Sequence, residues 1–242
     1  MKQTIRLLKG SVTQIYRDQM LVLLCLSPFL SGIMLRFIIP LVNRLLTEYL
    51  DFSLAPYYLM VDAMVITLGP MMVSAMTGLL ILDERDDGIC LYYSVTPIGG
   101  EAYLLIRFSL PFLYSLAASL VLIPFTSLGG LSYGWMIPAA ATTSYVGVMM
   151  GMMLVSIASN KVEGLAVSKL LGVIFFGIPL AWFANSYLRA VGSLLPTYWV
   201  MDMLMQAKAG QIVRYWTDFA IGLACTTIWI IGLYRIFIKR IM

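Results

Sequence analysis

Residues 58–88 read YLMVDAMVITLGPMMVSAMTGLLILDERDDG, and this stretch decides the fold. Its first 25 residues, 58–82, carry a single charge, Asp62, close to their start. At about 1.5 Å per residue, a helix of this length crosses a hydrocarbon layer of about 30 Å with some tilt. The run closes in Asp83-Glu84-Arg85-Asp86-Asp87-Gly88, which holds four of the twelve acidic side chains. Charges this dense are costly to place anywhere but in water or against a polar partner. The stretch therefore predicts a membrane-spanning helix whose charged end meets the aqueous phase.

The same reading extends outward in both directions. The chain has 242 residues, is 61% hydrophobic and has a mean hydropathy of +0.90, well above an ordinary globular domain. Apolar runs at 20–41, 58–82, 103–128, 135–158, 165–186 and 216–238 are each long enough to span. Lipid offers the backbone no hydrogen-bond partners, so runs of this length must be helical. The expectation is an all-α polytopic membrane protein, one transmembrane domain over 1–242 with six spanning helices and no separate soluble domain.

Basic residues set the orientation. One side of a six-span arrangement carries Lys2, Arg6, Lys9, Arg17, Arg85, Arg107, Lys161, Lys169, Arg235, Lys239 and Arg240. The other carries Arg44, Arg189, Lys208 and Arg214, with Arg36 inside the first run. This asymmetry predicts a plasma-membrane protein with both termini in the cytoplasm. The net charge of +4 is thus a topology signal, not a nucleic-acid footprint. The start does not read as a cleaved signal peptide.

The connections have their own patterns. Residues 2–18 place Ile5, Leu8, Val12 and Ile15 along one stripe opposite Lys2, Arg6, Lys9 and Arg17, as in an interfacial helix or a plain solvated one. The first run is expected to end near Pro40, leaving 41–57 as an outer connection. Residues 83–102 form the longest cytoplasmic connection and contain a Thr96-Pro97 turn. Residues 187–213 are too long for a turn and too apolar for a free loop. Pro196 divides them into two short amphipathic pieces expected to dip into or lie on the outer leaflet.

Absences limit the chemistry. The chain has no His, which removes His-based metal sites and Ser-His or Cys-His nucleophile pairs. It has no Gly-Lys dipeptide, so the phosphate loop G-x-x-x-x-G-K-[ST] is missing. Cys25, Cys90 and Cys225 are too scattered for a disulfide framework or a metal knuckle. Asp62 and Asp218 are the only candidates for a facing intramembrane acid pair, and both fall near the outer interface. No catalytic residue and no metal site are expected.

Four features admit both a functional and a structural reading. The acidic knot is either a solvated helix end or a docking surface for a partner with basic and backbone donors. Arg36 and Asp62 are either a gate or substrate contact, or a structural lock between two helices. Ala139, Thr143, Gly147 and Gly151 form a small-residue stripe, for packing within one subunit or for a dimer seam. Met149 and Met153 beside it suit either a path for varied apolar ligands or ordinary core filling.

Taken in order, these segments resemble the permease subunits of ABC-2 type transporters. In that family a span ending in Glu-x-x-x-Gly leads through a short cytoplasmic helix to a Thr-Pro turn and a Tyr-Leu-rich third span. Glu84, Gly88, Thr96-Pro97 and Tyr103-Leu104-Leu105 match here. Asn160-Lys161-Val162-Glu163-Gly164 with Ser168-Lys169-Leu170 is similar to the turn before the fifth span. Leu195-Pro196-Thr197-Tyr198-Trp199 is similar to the outer re-entrant segment before the sixth.

The resemblance implies an ATP-driven exporter of amphipathic or hydrophobic small molecules such as drugs or antibiotics. It implies a second permease, identical or paralogous, and separate cytoplasmic ATP-binding subunits that hold ATP and magnesium. This chain would then bind no cofactor and no nucleic acid, and would sit in membrane lipid. Asp83, Glu84, Arg85, Asp86, Asp87, Gly88, Thr96 and Pro97 would form the coupling element seated on the ATPase. An ATP-independent carrier or a membrane scaffold is the alternative. A carrier would be expected to show mid-span acids, which are lacking here.

Overall fold

The computed structural model describes residues 19–90 and 99–241. The N-terminal helix expected at 2–18 and the Thr96-Pro97 turn lie outside the described residues. Nine α-helices carry the described chain: α1 (Gln19–Leu50), α2 (Tyr58–Asp86), α3 (Gly99–Thr126), α4 (Tyr133–Ile157), α5 (Lys161–Leu170), α6 (Gly177–Phe183), α7 (Ser186–Gly192), α8 (Pro196–Lys208) and α9 (Ile212–Ile241). Short 3-10 turns occupy Ala55–Tyr57 and Leu171–Phe176. Six segments are long and apolar enough to cross a membrane, the fifth being the composite of α5, the second 3-10 turn and α6.

The centre of the bundle is α2 against α4. Between membrane helices no hydrophobic drive operates, since lipid tails are as apolar as leucine, so close packing of small residues must substitute. The stripe on α4 does this within the chain. A Cβ at Gly147 would stand 2.9 Å from the Pro70 carbonyl oxygen, and one at Gly151 would stand 3.0 Å from that of Ser74. Ala139 and Thr143 are likewise fully buried. Of the two readings of the stripe, the structure displays the packing of α4 on α2.

Two apolar layers fill the bundle. One, around Leu59, Ile123, Met136, Val200 and Tyr215, lies toward the α1–α2 connection. The other, around Ile81, Phe108, Met149, Leu171 and Phe237, lies toward the charged end of α2. Met149 is buried in this second layer and Met153 packs on its margin, so both serve as core filling.

Two segments differ from the sequence expectation. The first helix does not stop at Pro40 but continues to Leu50 with that proline inside it. Leu41, Leu45 and Tyr49 prolong its apolar face, and the left-handed Asp51 (φ 54°) ends it. The fifth span is not one α-helix, because its middle tightens into the 3-10 turn at Leu171–Phe176. There the Thr197 hydroxyl donates to the Ile174 carbonyl, and Gly177 lets the start of α8 approach where a Cβ would meet the Tyr198 nitrogen at 2.6 Å. The two pieces of the 187–213 segment differ, because α8 packs into the bundle. Val200, Met201, Met203 and Leu204 are wholly buried, whereas α7 before it is exposed.

Candidate functional site

Successive residues of a helix point about 100° apart, so a run of charges cannot all face one partner. At the end of α2 they divide. Glu84, 5% exposed, turns inward to α3, where it pairs with Arg107 and accepts the Tyr103 hydroxyl. Tyr103 and Arg107 are four apart on one helix face, and the guanidinium lies 5.9 Å from the Tyr103 ring centre. A buried acid with one cation and one hydroxyl is a satisfied group, costly to break.

The neighbours of Glu84 turn toward α5. Asp83 accepts from the Lys161 ammonium at 2.9 Å, and Asp86 accepts from the Lys161 backbone N–H at 2.9 Å. Arg85 donates to the Ala158 carbonyl at 3.3 Å. Lys161 is the first residue of α5, whose N–H groups lack helical partners and favour an anion. Asn160 caps that helix by accepting from the Glu163 N–H at 2.8 Å, and the Glu163 carboxylate reaches back past the cap to accept from the Ser159 N–H at 2.7 Å. The end of α2 is thus bolted to α3 on one side and to the 158–161 turn on the other.

Gly88 closes the helix. Its φ of 73° is the left-handed region that L-residues avoid, and its N–H reaches the Arg85 carbonyl at 3.0 Å. Asp86, Asp87 and Gly88 remain exposed. Just beyond, burial pushes the Cys90 thiol above its usual range, against the smaller opposing pulls of the Tyr103 hydroxyl and Arg85. The thiol stays protonated and unreactive.

At the opposite end, Asp62 is 2% exposed and cradles the α3–α4 connection. It accepts from the Leu128 N–H at 2.8 Å, the Gly129 N–H at 2.6 Å and the Ser127 hydroxyl at 3.4 Å. Arg36 of α1 reaches the same turn, donating to the Ser127 carbonyl at 3.4 Å. Among the described residues Arg36 and Asp62 form no ion pair with each other; they grip one loop from two helices. Asp218 is buried apart from Asp62, with one carboxylate oxygen lacking a hydrogen-bond partner among the described residues. Nearby on α8, burial pushes the Asp202 carboxyl up, while Arg189, Arg214 and a Gln206 hydrogen bond pull it down.

The inward turn of Glu84 was not visible as such in the sequence. Its signal was present, however: Arg107 stands one turn inside the third apolar run, four residues after a tyrosine, and needs an acid. Counting it only toward topology missed this. An apolar cavity of about 520 Å³ between α3, α4 and α9 also had no sequence signature, because its walls come from three distant segments.

Among the described residues, six apolar helices, the second held by polar contacts at both ends, define a polytopic helical membrane protein. A family model described as "Fluoroquinolones export permease protein Rv2686c-like" matches residues 11–234. The chain belongs to this family of export permeases, which are ABC-2-type transmembrane subunits. It is 26% identical over 202 residues to the fluoroquinolones export permease protein Rv2686c of Mycobacterium tuberculosis strain H37Rv, covering 79% of this chain and 77% of that one. The fluoroquinolones export permease protein MT2760 of strain CDC 1551 / Oshkosh gives the same figures, 26% over 202 residues. No solved structure matches.

Proposed function

We propose that this chain is the membrane-spanning subunit of an ATP-driven exporter of amphipathic aromatic small molecules of the fluoroquinolone kind. Separate ATPase subunits would supply the energy, with ATP and magnesium bound there, and a second permease would complete the path. The cytoplasm would hold both termini and the charged end of α2. The cargo class rests on what the two mycobacterial relatives are named for.

The observation that carries the reading is the bolting of the α2 end. Force applied at Asp86, Asp87 and Gly88 passes into α2, and through Lys161 and Ala158 into α5, because hydrogen bonds fix their register. The same helix holds Asp62, 24 residues before Asp86 and about 36 Å from it at about 1.5 Å per residue. A push at one end therefore reaches the outer loop 127–129 as motion of one rigid element. Thr96 and Pro97 follow in the coupling segment, while Glu84 serves it from within by holding α3.

The test is co-purification with the ATPase encoded beside this gene and ATP-driven fluoroquinolone uptake into inverted vesicles. Asp87→Lys should abolish ATP-driven transport while membrane insertion and thermal stability stay normal. Transport that persists without ATP, or with Asp87→Lys, overturns the coupling role. Failure of any ATPase to associate overturns the exporter reading.

A further inference from the structure

The cavity of about 520 Å³ opens sideways from the bundle, not into its centre. Leu104, Leu105, Phe108, Phe112, Met152 and Ile231 form most of its wall. Leu105 is 74% exposed and Ile231 48% exposed, so its mouth faces the surrounding lipid. Two of its wall hydroxyls are engaged within the chain, Tyr145 with Thr227 at 3.1 Å and Ser109 donating to the Ile106 carbonyl at 2.7 Å. A ligand with several polar groups would leave them unpaired against such walls. An alkyl chain would not.

The rim is charged. Ile231, Arg235 and Lys239 succeed one another at steps of four on α9, so they form one stripe running from the cavity to the end of the helix. Helical side chains lean toward the N-terminus, which directs both cations back toward the cavity mouth. Both are exposed, and neither has a carboxylate partner among the described residues. Of the acids at this end, Glu84 is engaged by Arg107 and Asp83 by Lys161.

We propose that the α3–α4–α9 cavity and the Arg235–Lys239 rim together form a binding site for an anionic phospholipid. One acyl chain fills the cavity, and the phosphate sits between the two cations. Neither the direction of transport nor the ATPase partner enters this argument. The site would exist whichever way the bundle faces, so its test is independent of the exporter reading.

The experiment uses the full chain in mixed phosphatidylglycerol–phosphatidylcholine nanodiscs, released into detergent and read by native mass spectrometry. Wild type should retain one phosphatidylglycerol per chain in preference to phosphatidylcholine. Arg235→Gln with Lys239→Gln should lower that retention about thirtyfold, the effect of two cations near a membrane anion, and leave phosphatidylcholine unchanged. Val148→Trp, which fills the cavity floor, should reduce retention of both lipids; the double Gln variant touches no packed residue and keeps the test sound if the Trp variant misfolds. Equal retention of the two lipids by wild type overturns the proposal. So does phosphatidylglycerol binding that survives the double Gln variant, displacement of the lipid by a fluoroquinolone, or a lipid-free dimer seated on this face.

Discussion

Helices α1 and α4 are both long, apolar and interrupted by proline, yet they occupy opposite environments. In the most apolar part of α1 only 11% of residues are buried in the bundle, against 72% in α4. By composition the two are comparably apolar. Helix α1 presents Leu23, Leu30, Phe37 and Leu41 outward, while α4 turns Ala139, Thr143, Gly147 and Gly151 inward. In water two helices this apolar would both be drawn into the core. In lipid, bulk apolar surface finds equal company on every side, and contacts that lipid cannot imitate decide what packs where.

The strongest challenge to that contrast is to make the bundle more apolar and watch it weaken. Arg107→Leu should cost about 3–5 kcal/mol by leaving Glu84 buried without its cation, and adding Glu84→Gln should recover most of the loss. Thermal unfolding of the reconstituted chain reads both. If Arg107→Leu stabilises, hydropathy and not polar pairing governs the inner end. Gly147→Val should cost about 1–3 kcal/mol, because the added carbons meet the Pro70 carbonyl and its rigid ring as well as the Ser74 hydroxyl.

Smaller effects sharpen the same distinction. Asp83→Asn breaks a pair whose side chains are 39% and 48% exposed, so about 0.2–1 kcal/mol is expected. On the lipid-facing surface of α1, Phe37→Ala should stay within about 0.5 kcal/mol despite removing a whole ring. A loss comparable to that of Gly147→Val would mean that α1 has a protein partner on that face. The finest effect concerns pH. Because the folded Asp202 carboxyl is held above its ordinary 3.8, its stabilising contribution is complete below that value and fades as pH rises through the raised one. Melting temperature should therefore rise on acidification toward this range, and less so in Asp202→Asn.

Much of this was legible in the chain. Apolar length fixed the number of spans, and the charge of residues 83–88 marked one end of α2. Pro196 marked the start of α8, where proline suits the first helical position. What escaped has a common cause. Hydropathy runs say that a segment is in the membrane but not which of its faces is covered, so the inward turn of Glu84 and the burial of α8 needed three-dimensional partners. The 3-10 turn at Leu171–Phe176 likewise depends on Thr197, 23 residues from Ile174. Arg36 and Asp62 both contact a loop that carries no charge and has no signature in the sequence.

The Glu84–Arg107 pair has a consequence for how the chain is made. A guanidinium entering the membrane alone must carry water or thin the bilayer around it. Synthesis runs from N- to C-terminus, so α2 and its carboxylate leave the ribosome before α3 brings the arginine. The acid is waiting when the base arrives, and the two helices can partition into lipid with this pair already neutralised. The order of residues along the gene is thus also an order of charge neutralisation during insertion.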